Sequence, residues 1–174
     1  MSLVVFLRGV NVGGHRVFRP ALLVRELRHL DVVNIGAAGT FVVRRPATQA
    51  QVRAEFARRL PFETHVAICP GRDIQRLVDH DHFARIPVRQ DLVRFVSVFA
   101  GSGAARLQIP AQLPATGPWL VKILAKDRRF VIGVYRRHMK TIRYLGELDR
   151  LLGGPVTTRN WNTIAAICDV LSGE

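Results

Sequence analysis

Lysine is nearly missing from this chain: of its 26 basic residues only Lys122, Lys126 and Lys140 are not arginine, and just 13 residues are acidic. So few acids leave no favoured pair of carboxylates for general acid and base work. Cysteine is scarce too, with Cys69 and Cys168 far apart in the apolar settings HVAIC and AAIC. Neither belongs to a CxxC or Cys/His ligand pattern, so both read as small core residues of a reducing cytosol. The serines, Ser2, Ser97, Ser102 and Ser172, show no GxSxG nucleophile elbow. No apolar run reaches the roughly 18 residues of a membrane-spanning helix, and the apolar run in MSLVVFLRG is too short for a signal peptide. The expectation is a cytoplasmic protein with no membrane partner, no metal and no cofactor.

What is present is a chain of 174 residues, 48% hydrophobic, with mean hydropathy +0.13, enough apolar material for one packed domain or two small ones. The net charge is +13 and the pI about 11.5, a positive field that attracts nucleic acid or phosphorylated metabolites. A GC-rich genome would also favour arginine over lysine. Arginine is nonetheless the side chain shaped for bidentate contact with phosphate or carboxylate. The charge is spread along the chain in short pairs such as Arg44-Arg45 and Arg136-Arg137, with no basic tail.

The order of elements follows from period and punctuation. Leu3 to Leu7 reads as a strand, and Pro20 opens a helix with the stripe Leu22, Leu23, Glu26, Leu27 and Leu30. DVVNI and TFVV flank a glycine turn as a hairpin. Thr48 caps a helix bearing Val52, Phe56 and Leu60, then come a strand at Thr64 to Cys69 and a short helix with Ile74 and Leu77. That βαββαβ alternation predicts an α+β fold with a ferredoxin-like first part over residues 1–82. A Pro-containing stretch within Asp79 to Asp91 supplies a linker at 83–91, and 92–174 forms a smaller α+β part. The latter holds a strand LVRFVSVFA, a polar Pro-rich loop to Pro118, a hairpin around Lys126-Asp127-Arg128, a helix from Thr141 to Leu152 stopped by Gly153-Gly154-Pro155, and a last helix.

Two polar motifs stand out. In TTRNWNT, Thr158 reads as the N-cap of the last helix, with Trp161, Ile164, Ala165, Cys168 and Leu171 on an inward face. Arg159 and Asn162 then face solvent, Asn160 sits at the border, and a helix start carrying Arg159 favours an anion. The loop RGVNVGGH leaves the first strand with glycines that permit close backbone approach to a ligand, although its spacing matches neither the P-loop nor GxGxxG. The candidate ligand-binding residues are Arg8, Asn11, Gly13, Gly14, His15, Arg159, Asn160 and Asn162, for an anionic small molecule or nucleic acid. An enzyme would use His15 as acid or base and Arg159 as an oxyanion or phosphate clamp, and a purely structural role remains the third option.

LRGVNVGG, the hairpin region NIGAAGTFVV, the strand LVRFVSVF and TTRNWNT together resemble the bacterial family of domain of unknown function 1697, across essentially the whole chain. The resemblance implies a compact α+β protein with a ferredoxin-like N-terminal part and attaches no activity to it. Relatives more often carry Ser-Gly-Asn where this chain has Ala38-Gly39-Thr40, which implies an altered contact at that position. Elsewhere, DHDHF alternates His80 and His82 with Asp79 and Asp81 without the convergence a metal needs. Phe6 and Phe41 lie on strands as in an RNA-recognition sheet, but the RNP1 pattern is missing.

Overall fold

The computed structural model describes residues 1–11, 14–100 and 106–173, and the chain divides into two compact units, one of Met1–His80 with Asn162–Glu174, the other of Asp81–Trp161. In the first unit β1 (Leu3–Leu7), α1 (Pro20–Glu26), β2 (Val32–Ile35), β3 (Thr40–Val43), α2 (Gln49–Arg59), β4 (Val66–Pro70) and α3 (Gly71–Val78) follow in order. The sheet runs β2-β3-β1-β4 with every neighbouring pair antiparallel, the ferredoxin-like arrangement expected from the βαββαβ reading. β1 is central, so all five of its residues are buried, which explains why it carries an unbroken apolar run rather than alternation.

One face of that sheet presents Leu3, Val5, Leu7, Phe41 and Val43 to Leu23, Val52 and Phe56 of the two helices and to Leu27 just past α1. Phe41 meets Phe56 edge-on at 5.3 Å, and full burial of such a side chain contributes about 1.5–3 kcal/mol. The start of α2 is fixed by a capping box: the Gln51 amide donates to Thr48 Oγ1 at 3.1 Å while the Thr48 amide donates to Gln51 Oε1 at 2.9 Å.

The second unit contains β5 (Leu92–Phe99), β6 (Ala111–Leu113), β7 (Val121–Asp127), β8 (Phe130–Arg136), α4 (Thr141–Gly146), α5 (Leu148–Leu152) and β9 (Val156–Asn160). Its antiparallel sheet has the order β6-β7-β8-β5-β9. Phe95, Phe99, Val121, Ile123 and Val131 pack with Leu148 and Leu152 of α5. Gly133 is needed on β8, because a Cβ there would meet the Lys122 carbonyl oxygen at 2.4 Å and the Phe95 ring at 2.7 Å.

Several sequence expectations change here. TTRN forms β9 rather than a helix cap: two adjacent β-branched threonines suit a strand as well as a cap, and the open edge of β5 supplies the ladder that decides between them. The last helix, α6 (Trp161–Ser172), accordingly starts at Trp161, and its buried stripe is Ile164, Ile167 and Leu171 while Ala165 is exposed. The sequence reading kept this helix with the C-terminal part, whereas in the structure it belongs with the first unit, where Leu171 packs against Gly71. The helix expected over Thr141 to Leu152 breaks at Glu147 into α4 and α5 and does end at Gly153 with φ +72°. Part of the Pro-rich loop forms the edge strand β6, and Phe83, in the stretch expected as a linker, is only 4% exposed and lies within the second unit.

Candidate functional site

The loop after β1 is held by its backbone. The Arg8 amide donates to the His65 carbonyl at 3.1 Å, and the Thr64 hydroxyl donates to the Arg8 carbonyl, so the first turn of the loop is tied beside β4. Gly9, Asn11, Gly14 and Arg16 all have positive φ; glycine and asparagine adopt the left-handed region readily, whereas at Arg16 it is uncommon. Asn11 acts as a clamp: its Nδ2 donates to the Ala37 carbonyl at 3.0 Å and its Oδ1 accepts from the Phe18 amide at 3.0 Å. Both ends of the carboxamide are therefore engaged within the protein, one on the β2–β3 turn and one at the approach to α1.

The same turn is tied to the loop a second time. The Leu7 amide donates to the Gly39 carbonyl at 2.8 Å, and a Cβ at Gly39 would lie 2.6 Å from Val10 Cγ2. The N-terminal motif and the hairpin motif, 26 residues apart between Asn11 and Ala37, thus form one physical assembly. Arg8 is half-buried, and Gly14 and His15 are exposed on the same loop. Gly13 lies outside the described residues.

In the second unit β9 places the polar motif on a strand. Thr158 faces Ser97 of β5, and their hydroxyls lie 2.7 Å apart in a hydrogen bond. Thr157 and Arg159 point to the opposite side of the strand. Thr157 is 2% exposed, and its hydroxyl has no hydrogen-bond partner among the described residues. Arg159 is 8% exposed, so the solvent-facing position expected for it is corrected: as a strand residue opposite Val96 it is buried. Its Nη1 donates to the Thr158 carbonyl at 2.9 Å, and burial lowers its pKa to about 10. Asn160 is exposed at the end of the strand.

Trp161 is half-buried against Phe83 at 5.0 Å and His82 at 6.2 Å, an aromatic group that fixes the end of β9 to the start of the second unit. Asn162, exposed, begins the segment that returns to the first unit. The candidate residues therefore fall into two sets: Arg8, Asn11, Gly14, His15 and Asn162 in the first unit, Arg159 and Asn160 in the second. His80 and His82 likewise part ways. His80 Nδ1 lies 3.3 Å from the Arg76 carbonyl, His82 meets the Trp161 ring edge-on, and no three metal-ligating side chains converge among the described residues.

Sequence reasoning missed how unevenly the charge is distributed. Fourteen of the 26 basic residues and only five of the 13 acidic ones lie within Asp81–Trp161, so this unit carries +9 of the chain's +13. Arg85, Arg128, Lys140 and Arg143 make no side-chain hydrogen bond or ion pair among the described residues, leaving their charge directed at solvent. On the same unit the guanidinium of Arg136 lies 4.1 Å from the centroid of the Trp119 ring and Lys122 Nζ 4.8 Å from it. Arg136 Nε also donates to the Trp119 carbonyl at 3.1 Å and Arg136 reaches Asp91, which is gripped bidentately by Arg89 at 2.8 and 3.0 Å. Met139 and Ile142, 92% and 79% exposed, neighbour Lys140 and Arg143 in sequence around the start of α4. The signal in the letters was the run KDRRF to RRHMKTIR, dense in cations and nearly free of acids.

Fold and geometry define an α+β protein made of a ferredoxin-like unit and a strongly basic β-rich unit. The sequence model of the family described as protein of unknown function, DUF1697, matches residues 1–112, and the chain belongs to that family. No curated protein sequence matches it. Among solved structures it is similar to the conserved bacterial protein SP0830 from Streptococcus pneumoniae, with 16% identity, a TM-score of 0.58, and coverage of 95% of this chain and 96% of that one. At that identity the likeness concerns the fold. Among the described residues no helix is long and apolar enough to cross a membrane.

Proposed function

We propose that the chain binds a polyanion, a single-stranded nucleic acid, through the basic surface of its second unit. The observation that carries this reading is the +9 charge of Asp81–Trp161. Cations that are not neutralised by neighbouring carboxylates release condensed counterions when they meet phosphates, which is the main source of affinity for nucleic acid. Trp119 with its stacked Arg136, and the projecting Met139 and Ile142, add the planar and apolar groups on which unpaired bases rest. Duplex binding would not use those groups.

Fluorescence anisotropy of a labelled single-stranded oligonucleotide, read across salt concentrations, tests the proposal. Affinity that falls steeply with salt supports it, and a flat response removes it. Anionic vesicles run in parallel separate a nucleic-acid preference from attraction to any negative surface.

A second reading, a small anionic ligand, is favoured by the burial of Arg159, since desolvated cations cluster at functional sites. It takes Arg159 and Asn160 as contacts in the second unit and, independently, Arg8, Gly14 and His15 in the first. A phosphate-dependent rise in melting temperature that is lost in Arg159→Met supports it, and identical curves with and without phosphate reject it.

A further inference from the structure

Beside α1 lies a cavity of about 250 Å³ that the polyanion reading does not use. Its walls are apolar: Phe18, Leu22, Leu23 and Pro61. Arg19 and Glu26 stand at its rim, together with Arg59 from the end of α2. Three features set it apart from an accidental crevice between helices.

The walls are held in place by the core. Phe18 is braced by Phe41 at 6.3 Å and by Phe62 at 6.1 Å, and Leu23 is 4% exposed. Leu22, by contrast, is left 47% exposed at the mouth, an apolar side chain with water where a ligand's apolar body would cover it.

The rim charges divide into one that is used and two that are not. Arg59 Nη1 is bound to Glu55 Oε2 at 2.6 Å, so its charge is compensated inside the protein. Arg19 and Glu26 make no side-chain hydrogen bond or ion pair among the described residues, although they bear opposite charges and line the same cavity. They do not neutralise each other because their separation of seven positions spans about 10 Å along a helix at about 1.5 Å per residue.

The size and the charge order together define a ligand. An extended peptide advances about 3.3–3.6 Å per residue, so a di- or tripeptide separates its terminal ammonium and carboxylate by a distance that Glu26 and Arg19 can bracket. We propose that this cavity binds a short apolar peptide with free ends, its carboxylate on Arg19, its ammonium on Glu26 and its side chains on Phe18, Leu22 and Pro61. The chemistry is that of a linear zwitterion with an apolar middle.

The test uses the intact chain labelled with nitrogen-15 and a titration with the tripeptide Val-Leu-Val, its N-acetylated form and its C-amidated form. Saturable amide shifts confined to Leu22, Leu23 and Glu26 are expected with the free peptide. Each blocked end should weaken binding about two- to fivefold, the range of an exposed ion pair. Arg19→Gln should abolish the preference for a free carboxylate and leave that for a free ammonium, and Glu26→Gln the reverse. Both side chains lack partners among the described residues, so the melting temperature of each variant should match the parent. Absence of saturable shifts with all three peptides overturns the proposal, and so does binding that responds equally to both variants.

Discussion

Gly36 and Gly39 sit in the same turn between β2 and β3, both with positive φ, at +66° and +77°, but in different surroundings. A Cβ at Gly36 would meet nothing within 4 Å, whereas one at Gly39 would meet Val10 Cγ2 at 2.6 Å and Leu7 Cβ at 2.8 Å. Alanine at either position carries the left-handed penalty of about 1–2 kcal/mol, partly offset by the smaller entropy of the unfolded chain. Only Gly39→Ala must also displace packed side chains, which adds about 1–3 kcal/mol. The difference between the two variants therefore isolates the packing of the N-terminal loop on the hairpin, and at about 2–4 °C per kcal/mol it amounts to about 2–12 °C. Thermal unfolding followed by circular dichroism of both variants measures it. Equal melting temperatures would refute the claim that the two motifs form one assembly.

Two further perturbations probe the buried polar groups. Thr157→Val removes a hydroxyl without a partner among the described residues and should be neutral or stabilising by up to about 1 kcal/mol, whereas Thr158→Val breaks the bond to Ser97, leaves that fully buried hydroxyl stranded and should cost about 1–3 kcal/mol. Urea denaturation compares them, and a comparable loss from both would mean that Thr157 is bonded after all. Burial raises the pKa of Glu55, but Arg58, Arg59 and His29 outweigh it and hold the carboxyl below its ordinary 4.5. Its ion pairs thus contribute stability that is present above that value and is lost as pH falls through the lower folded one. Stability measured from neutral pH down through the carboxylate range should fall less steeply in Glu55→Gln, and parallel profiles would show that the cluster contributes nothing.

The first unit was legible because its signals agree with one another. An all-apolar central strand, a Thr48 cap with Gln51 three residues on, and a proline at the start of α1 each point to the same element that the tertiary contacts select. The second motif misled for a physical reason. Adjacent threonines before an apolar run satisfy both the cap and the strand pattern, and the partner that breaks the tie, β5, lies about sixty residues away in sequence at Ser97. Arg159 followed that error: on a helix surface it faces water, and on β9 it is buried. The aromatic anchoring of Trp161 depends on Phe83 and His82, which no periodicity connects to it. The run KDRRF to RRHMKTIR carried the signal of a charge imbalance in the letters, but its full size, +9 of the chain's +13, could be counted only once the unit boundaries were known.

The central claim is that nucleic acid is held by the second unit rather than attracted by net charge alone. The measurement is the salt dependence of oligonucleotide affinity for two variants of equal charge, Lys140→Ala with Arg143→Ala in the second unit and Arg25→Ala with Arg28→Ala in the first. All four side chains are exposed, so neither variant should disturb the fold. Each lost phosphate contact reduces the slope of log affinity against log salt by about 0.7 for a single strand, so the second-unit pair should flatten it by about 1.4. The first-unit pair should leave the slope unchanged. Equal flattening by both pairs would contradict the account.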